Sequence, residues 1–180
     1  MLRQNWFAFA AAVSLLALAA PAQAAAPHFT VWNQVASGCV LDTASAQAGL
    51  AVTNGISSDV RFAGTKTGMI RMICPVTQLN DPNALPQTLF VTYTDPDGFG
   101  STCQVRAHLL RTSMDSSGLG NTIVSIDSNG SNVSTRTQGQ AFFSEVIDFD
   151  SSYYWVDIEL IRTGTSCNPS VNGVRLVDLP

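Results

Sequence analysis

Tyr153-Tyr154-Trp155-Val156-Asp157-Ile158-Glu159-Leu160-Ile161-Arg162 is the stretch from which the fold is read. Its residues alternate. Tyr154, Val156, Ile158 and Leu160 fall on one side of an extended backbone, and Tyr153, Trp155, Asp157, Glu159 and Ile161 fall on the other. That period of two is the pattern of a half-buried strand. The even-numbered side is core. The odd-numbered side sets two aromatic rings beside two carboxylates, a combination that suits a solvated face, a contact surface or a binding site.

Working outward, the start of the chain reads differently. Arg3 precedes an uncharged apolar run from Trp6 to Ala20, and Ala22-Gln23-Ala24 has the small-x-small form accepted by signal peptidases. The expectation is cleavage after Ala24, with residues 25–180 forming one domain of ordinary size. An uncleaved anchor is the alternative, but the apolar run is short for a membrane span. No later segment is long and apolar enough, so no integral membrane segment is expected in the mature chain. Nine basic residues against thirteen acidic ones give a net charge of −4, and Lys66 is the single lysine. Without a basic stripe, nucleic acid is not an expected partner.

Cys39, Cys74, Cys103 and Cys167 all lie beyond the leader. An even number of cysteines in an exported chain implies disulfides, and four cysteines allow three pairings. The favoured pairing is Cys39 with Cys74 and Cys103 with Cys167. It closes one loop in the N-terminal half and ties a middle strand to the loop after the aromatic strand. A zinc site is not expected, because there is no C-x-x-C and the histidines are His28 and His108 alone.

Further strands are expected at 28–35, 49–53, 60–63, 68–76, 88–94, 102–111, 122–126 and 171–177. Of these, 102–111 is the second clean alternation, with Cys103, Val105, Ala107 and Leu109 opposite Gln104, Arg106, His108 and Leu110. Asp42 to Gln47 reads as one helical turn or an irregular loop. Asn54-Gly55 reads as a hairpin-type turn, and Gly68 to Val76 as a buried strand halted by Pro75. The fold class is therefore all-β: an antiparallel β-sandwich, jelly-roll-like, of about eight to ten short strands. A closed barrel is the alternative architecture.

Cys39, the strand end Cys74-Pro75, the turn Asp127-Ser128-Asn129 and the late strand from Tyr154 to Leu160 form a set that resembles small secreted bacterial jelly-roll β-sandwich proteins of unassigned function. That resemblance covers most of the chain beyond the leader and implies a fold rather than an activity. Cys103 and Cys167 are additions to its pattern.

Function divides into three classes. The first is a non-catalytic exported module, periplasmic or extracellular, that binds a partner or associates with itself. The second is a carbohydrate-binding module in which Trp155 and Tyr153 stack on sugar rings while Asp157, Glu159, Arg106 and His108 meet hydroxyls, provided that strands 102–111 and 153–162 share a sheet. The third is a weak glycoside hydrolase using Asp157 and Glu159, which sit about 7 Å apart on one strand face. No G-x-S-x-G elbow accompanies any serine, so catalysis is not expected. No cofactor is expected except calcium. Asp95-x-Asp97-Gly98 and Asp127-x-Asn129-Gly130-x-Asn132 offer alternating oxygens before a glycine, which a hard cation accepts and which a plain turn also favours. Asn129-Gly130-Ser131 and Asn132-Val133-Ser134 match the glycosylation acceptor pattern, an improbable use behind a bacterial-type leader.

These readings predict an exported protein that begins at Ala25 and takes up no alkylating reagent when denatured without reductant. Intact mass before and after alkylation checks both points. Uptake of reagent would remove the disulfide reading.

Overall fold

A computed structural model describes residues 29–54, 56–80, 84–115, 120–132 and 134–178. The leader, His28 and Gly55 lie outside the described residues. The chain forms an antiparallel β-sandwich. One sheet runs β2 (Val40–Leu41), β5 (Gly68–Val76), β10 (Ser152–Arg162), β7 (Cys103–Ser113), β8 (Asn121–Asp127). The other runs β3 (Ala51–Thr53), β4 (Val60–Phe62), β11 (Ser170–Asp178), β6 (Pro86–Thr94), β9 (Thr137–Phe142), with β1 (Phe29–Val35) also paired to β11. The described residues contain eleven strands, against the expected about eight to ten. A two-residue β2 and an almost wholly polar β9 leave little periodic signal.

The core lies between the sheets. From β10 come Tyr154, Val156, Ile158 and Leu160; from β5, Ile70, Met72, Cys74 and Val76; from β7, Val105, Ala107 and Leu109. The facing sheet contributes Leu89, Val91 and Tyr93 from β6, Val171, Val174 and Leu176 from β11, and Val60 and Phe62 from β4. On β4, β5, β6, β7 and β10 these core residues are two apart along the strand, so the pleat sorts the side chains into core and surface; on β11 an irregularity between Val171 and Gly173 shifts the alternation. At the end of β10 the same alternation sends Arg162 inward, where it is 4% exposed. Its guanidinium donates to the carbonyls of Gly64, Lys66, Gly164 and Thr165 at 2.8–3.1 Å, so the buried cation is held by backbone oxygens.

The structure corrects two strand readings. Strand β5 is not buried throughout: Met69, Arg71, Ile73 and Pro75 face outward, alternating with the core residues. Nor does Pro75 halt it, since the strand continues to Val76. Strand β2 covers β5 only at Met72 and Ile73, so at Pro75 that side of β5 is an open edge, where a residue without an N–H is tolerated. The Asn54 turn is also longer than a tight hairpin, because β3 ends at Thr53 and β4 begins at Val60. Residues Thr43–Gln47 form a short helix, α1, capped by Asp42, whose carboxylate accepts from the Ser45 N–H at 2.7 Å.

Both disulfides pair as the sequence favours, Cys39 with Cys74 and Cys103 with Cys167. Each contributes about 4 kcal/mol by loop closure in the unfolded chain, on the chain-entropy account. Among the described residues no helix is long and apolar enough to cross a membrane.

Val156 is 0% exposed between Cys74 and Leu109 in register. Val156→Asp is expected to abolish cooperative unfolding, since an unpaired core carboxylate costs about 4 kcal/mol or more. Ile161→Thr, on the opposite face of the same strand, is expected to cost about 1 kcal/mol or less. Thermal unfolding by circular dichroism distinguishes them, and equal losses would overturn the face assignment.

Candidate functional site

Because β10 pairs with β5 on one side and β7 on the other, its outward residues stand in rows with theirs. Trp155 lies between Leu110 and Pro75. Asp157 lies between His108 and Ile73, and Glu159 lies between Arg106 and Arg71. Strand β8 lengthens two rows, placing Ser125 beside His108 and Asp127 beside Arg106. All six sequence-predicted ligand residues, Tyr153, Trp155, Asp157, Glu159, Arg106 and His108, therefore share one outer sheet face, with strands 102–111 and 153–162 adjacent in it.

The apolar end of this face is built around Tyr153, which is 60% exposed. A depression of about 460 Å³ opens beside it, lined by Ile73, Pro75, Met114, Phe149 and Trp155 among others. Trp155 is half-buried. A side chain at Gly120 would come within 2.3 Å of the far edge of its indole, so a glycine there lets the backbone lie against the ring. The Trp155 ring is thus partly packed beneath the approach to β8 and partly open.

The polar end is held by fixed pairs. Asp157 is 3% exposed, and both its oxygens engage Arg71, with the Arg71 Nε at 2.9 Å from each. The carboxylate in turn holds the Arg71 guanidinium above its ordinary pKa. Arg106 lies 3.6 Å from Asp127 and 3.9 Å from Glu159, and Gln104 donates to both Asp127 oxygens at 2.7 and 2.8 Å. His108 Nδ1 is 2.7 Å from Ser125 Oγ. Among the described residues no hydrogen bond joins His108 to Asp157, so the Ser125–His108–Asp157 row is not a connected triad. The neighbouring backbone amides belong to strand ladders rather than to an oxyanion hole.

Asp157 is enclosed beneath the Arg71 guanidinium, which is the exposed member of that pair. Sequence reasoning missed Arg71 and Ser125. The signal for Arg71 was its position as the one charge in the apolar run 68–76; Ser125 carried none. The two acidic turns also come together, though not whole. Asp127 stays at the surface, capping Asn129 N–H at 3.0 Å. Asp95 is fully buried and accepts from Ser128 of the second turn. Burial pushes the Asp95 carboxyl up to about 6; the Ser128 hydroxyl pulls it down, and neighbouring Asp97 pushes it up.

No family model matches the chain, and no curated protein matches it. Among solved structures it is similar to a family two carbohydrate esterase from Cellvibrio japonicus, at 10% identity and a TM-score of 0.42 over 84% of this chain, and it spans about a third (34%) of that protein. It is also similar to a low affinity xylan binding module, CBM86, from Roseburia intestinalis, at 9% identity and a TM-score of 0.34, covering 83% of this chain and 92% of that one. Likeness at this level says nothing about ligands or site residues.

Arg71→Met leaves the Asp157 carboxylate buried and unpaired. A loss of about 2–3 kcal/mol is expected in denaturant unfolding, less than for a fully enclosed pair because the Arg71 side chain is 46% exposed. The double variant Arg71→Met/Asp157→Leu should recover most of that loss. A double variant no better than the single one would show that the pair does not anchor this face.

Proposed function

We propose that the chain is an exported, non-catalytic binding module that takes a polysaccharide on the outer face of the β5–β10–β7–β8 sheet. The observation that carries this reading is the 60% exposed Tyr153 ring on the middle strand, beside Trp155 and in line with the fixed Arg106–Glu159 and Arg71–Asp157 pairs. An aromatic ring offers an apolar face to the C–H side of a sugar. Groups already held by neighbours hydrogen-bond hydroxyls without the entropy cost of being ordered on binding. Both edges of β10 are occupied by β5 and β7, so this face recognises a ligand by side chains and not by adding a strand. The net charge of −4 disfavours polyanionic chains. Catalysis is not part of the reading, because Asp157 is enclosed and Glu159 lies beside Arg106.

A second reading is favoured by one observation. Val40, Met69 and Ile73, exposed by 65%, 44% and 38%, extend the apolar part of the same face toward β2, as a self-association surface would.

Pull-down on insoluble polysaccharides, beside light scattering, tests the two. The wild type is expected to be a monomer retained by at least one polysaccharide. Tyr153→Ala should lower retention about ten-fold with no change in melting temperature. Trp155→Ala should lower both, because its indole also packs on Gly120. A dimer that Tyr153→Ala dissociates, with no polysaccharide retained, would replace the glycan reading with self-association.

A further inference from the structure

The turn after β6 and the short 3-10 helix Ser128–Gly130 after β8 meet at one end of the sandwich. Asp95 is 0% exposed there. Its Oδ2 accepts from the Ser128 hydroxyl, and that hydroxyl oxygen accepts from the Val105 N–H at 2.8 Å. Asp97 Oδ2 accepts from the N–H groups of Thr102 and Cys103 at 2.9 and 3.0 Å. Each carboxylate thus uses one oxygen to fasten a turn. The other oxygen of each, Asp95 Oδ1 and Asp97 Oδ1, is buried and accepts no hydrogen bond among the described residues; the same holds for Asn129 Oδ1, one residue beyond Ser128.

The two turns also approach each other closely. Gly98 has φ +58, and a Cβ there would stand 3.3 Å from Asn132 Oδ1 and 3.5–3.6 Å from the Asn132 backbone, so the turn comes close to Asn132. A fully buried carboxylate beside a second one within hydrogen-bond reach, with no cationic side chain paired to either among the described residues, is a costly arrangement unless a shared proton or a cation joins it. Arg106 does not serve, since it is engaged at the surface with Asp127 and Glu159. The sulfurs beside Asp97 are those of the Cys103–Cys167 disulfide and are not thiolate ligands.

We propose that this junction is a structural calcium site, with Asp95 Oδ1 and Asp97 Oδ1 as its anionic ligands and Asn129 Oδ1 as a neutral one. The donor set is all oxygen, as a hard divalent cation requires, and water or backbone carbonyls complete its shell. The site clamps the β6–β7 turn to the β8–β9 connection, remote from Tyr153, so its occupancy and the glycan reading fail separately.

The test uses the whole exported protein, stripped with EDTA and titrated with CaCl₂ by calorimetry, with melting temperature followed in parallel. One calcium per chain and a rise of several degrees are expected. Terbium in place of calcium should show emission sensitised by the nearby Tyr93. Asp95→Asn keeps an acceptor for Ser128 and removes the buried charge, so it should fold, melt at or above the metal-free wild type, and bind calcium at least about ten-fold more weakly. Asn129→Ala, which leaves both carboxylates in place, should also weaken binding. A wild type that gives no heat with calcium and whose melting temperature ignores both calcium and EDTA would overturn the site. So would an Asp95→Asn variant that binds calcium as the wild type does.

Discussion

The pairing of β10 with two neighbours along its length is the constraint on which the molecule rests. From Tyr154 to Arg162 this strand is laddered to both β5 and β7, so no residue can shift by one without every side chain changing faces. A slip would send Val156, Ile158 and Leu160 into water and bring Trp155, Asp157 and Glu159 into the core. The hydrophobic cost of that exchange, about 2 kcal/mol for each aliphatic side chain, pins the register. The outer rows inherit their order from it. Arg106 and Arg71 stand opposite Glu159 on its two sides, and Arg71 reaches diagonally to Asp157, because the core has already fixed the register of the three strands.

The two disulfides act where that ladder is weakest. Strand β2 reaches β5 through two residues only, and Cys39 precedes it while Cys74 sits in β5. Cys103 begins β7, and its partner Cys167 lies in the connection from β10 to β11, so this bridge ties a turn to the end of the central ladder. Arg162 closes the same end. Four carbonyls from the β4–β5 and β10–β11 connections converge on its guanidinium, which packs 5.9 Å from the Phe62 ring. Covalent and polar contacts thus secure the connections, and apolar packing secures the strands.

That division explains what the sequence could and could not convey. Period two is visible wherever one face is core, which is why β7 and β10 were legible with their inward residues, whereas β5, apolar on both faces except at Arg71, was legible as a strand but not by face. Strand β9, Thr137–Phe142, is almost wholly polar up to its last two residues, because it is an edge strand paired only with β6, and its side chains leave no alternation to find. The outer face was legible as a set of residues but not as a mechanism. Asp157 reads as a solvated carboxylate in the sequence; it is buried because Arg71, 86 residues away, folds over it. Asp95 likewise reads as an ordinary turn residue. Its burial depends on Ser128 arriving from a different turn, and sequence distance conceals such meetings.

The separation of core and surface by odd and even position also bears on how function can be isolated from stability. Along β10 the even residues hold the fold, while Tyr153, on the odd side, is free enough of packing to be altered alone. Trp155 and Asp157 break this separation. The indole lies against Gly120, and the carboxylate is enclosed beneath a guanidinium, so each contributes to the shape of the face and to the stability of the sheet. A ligand on this face would therefore be read first through Tyr153 and the half-exposed Arg71 and Arg106, whose contacts with solvent can be exchanged for contacts with hydroxyls while the core ladder stays as it is. The buried members of the same rows hold those groups in place before a ligand arrives, which is the physical basis for binding with little rearrangement.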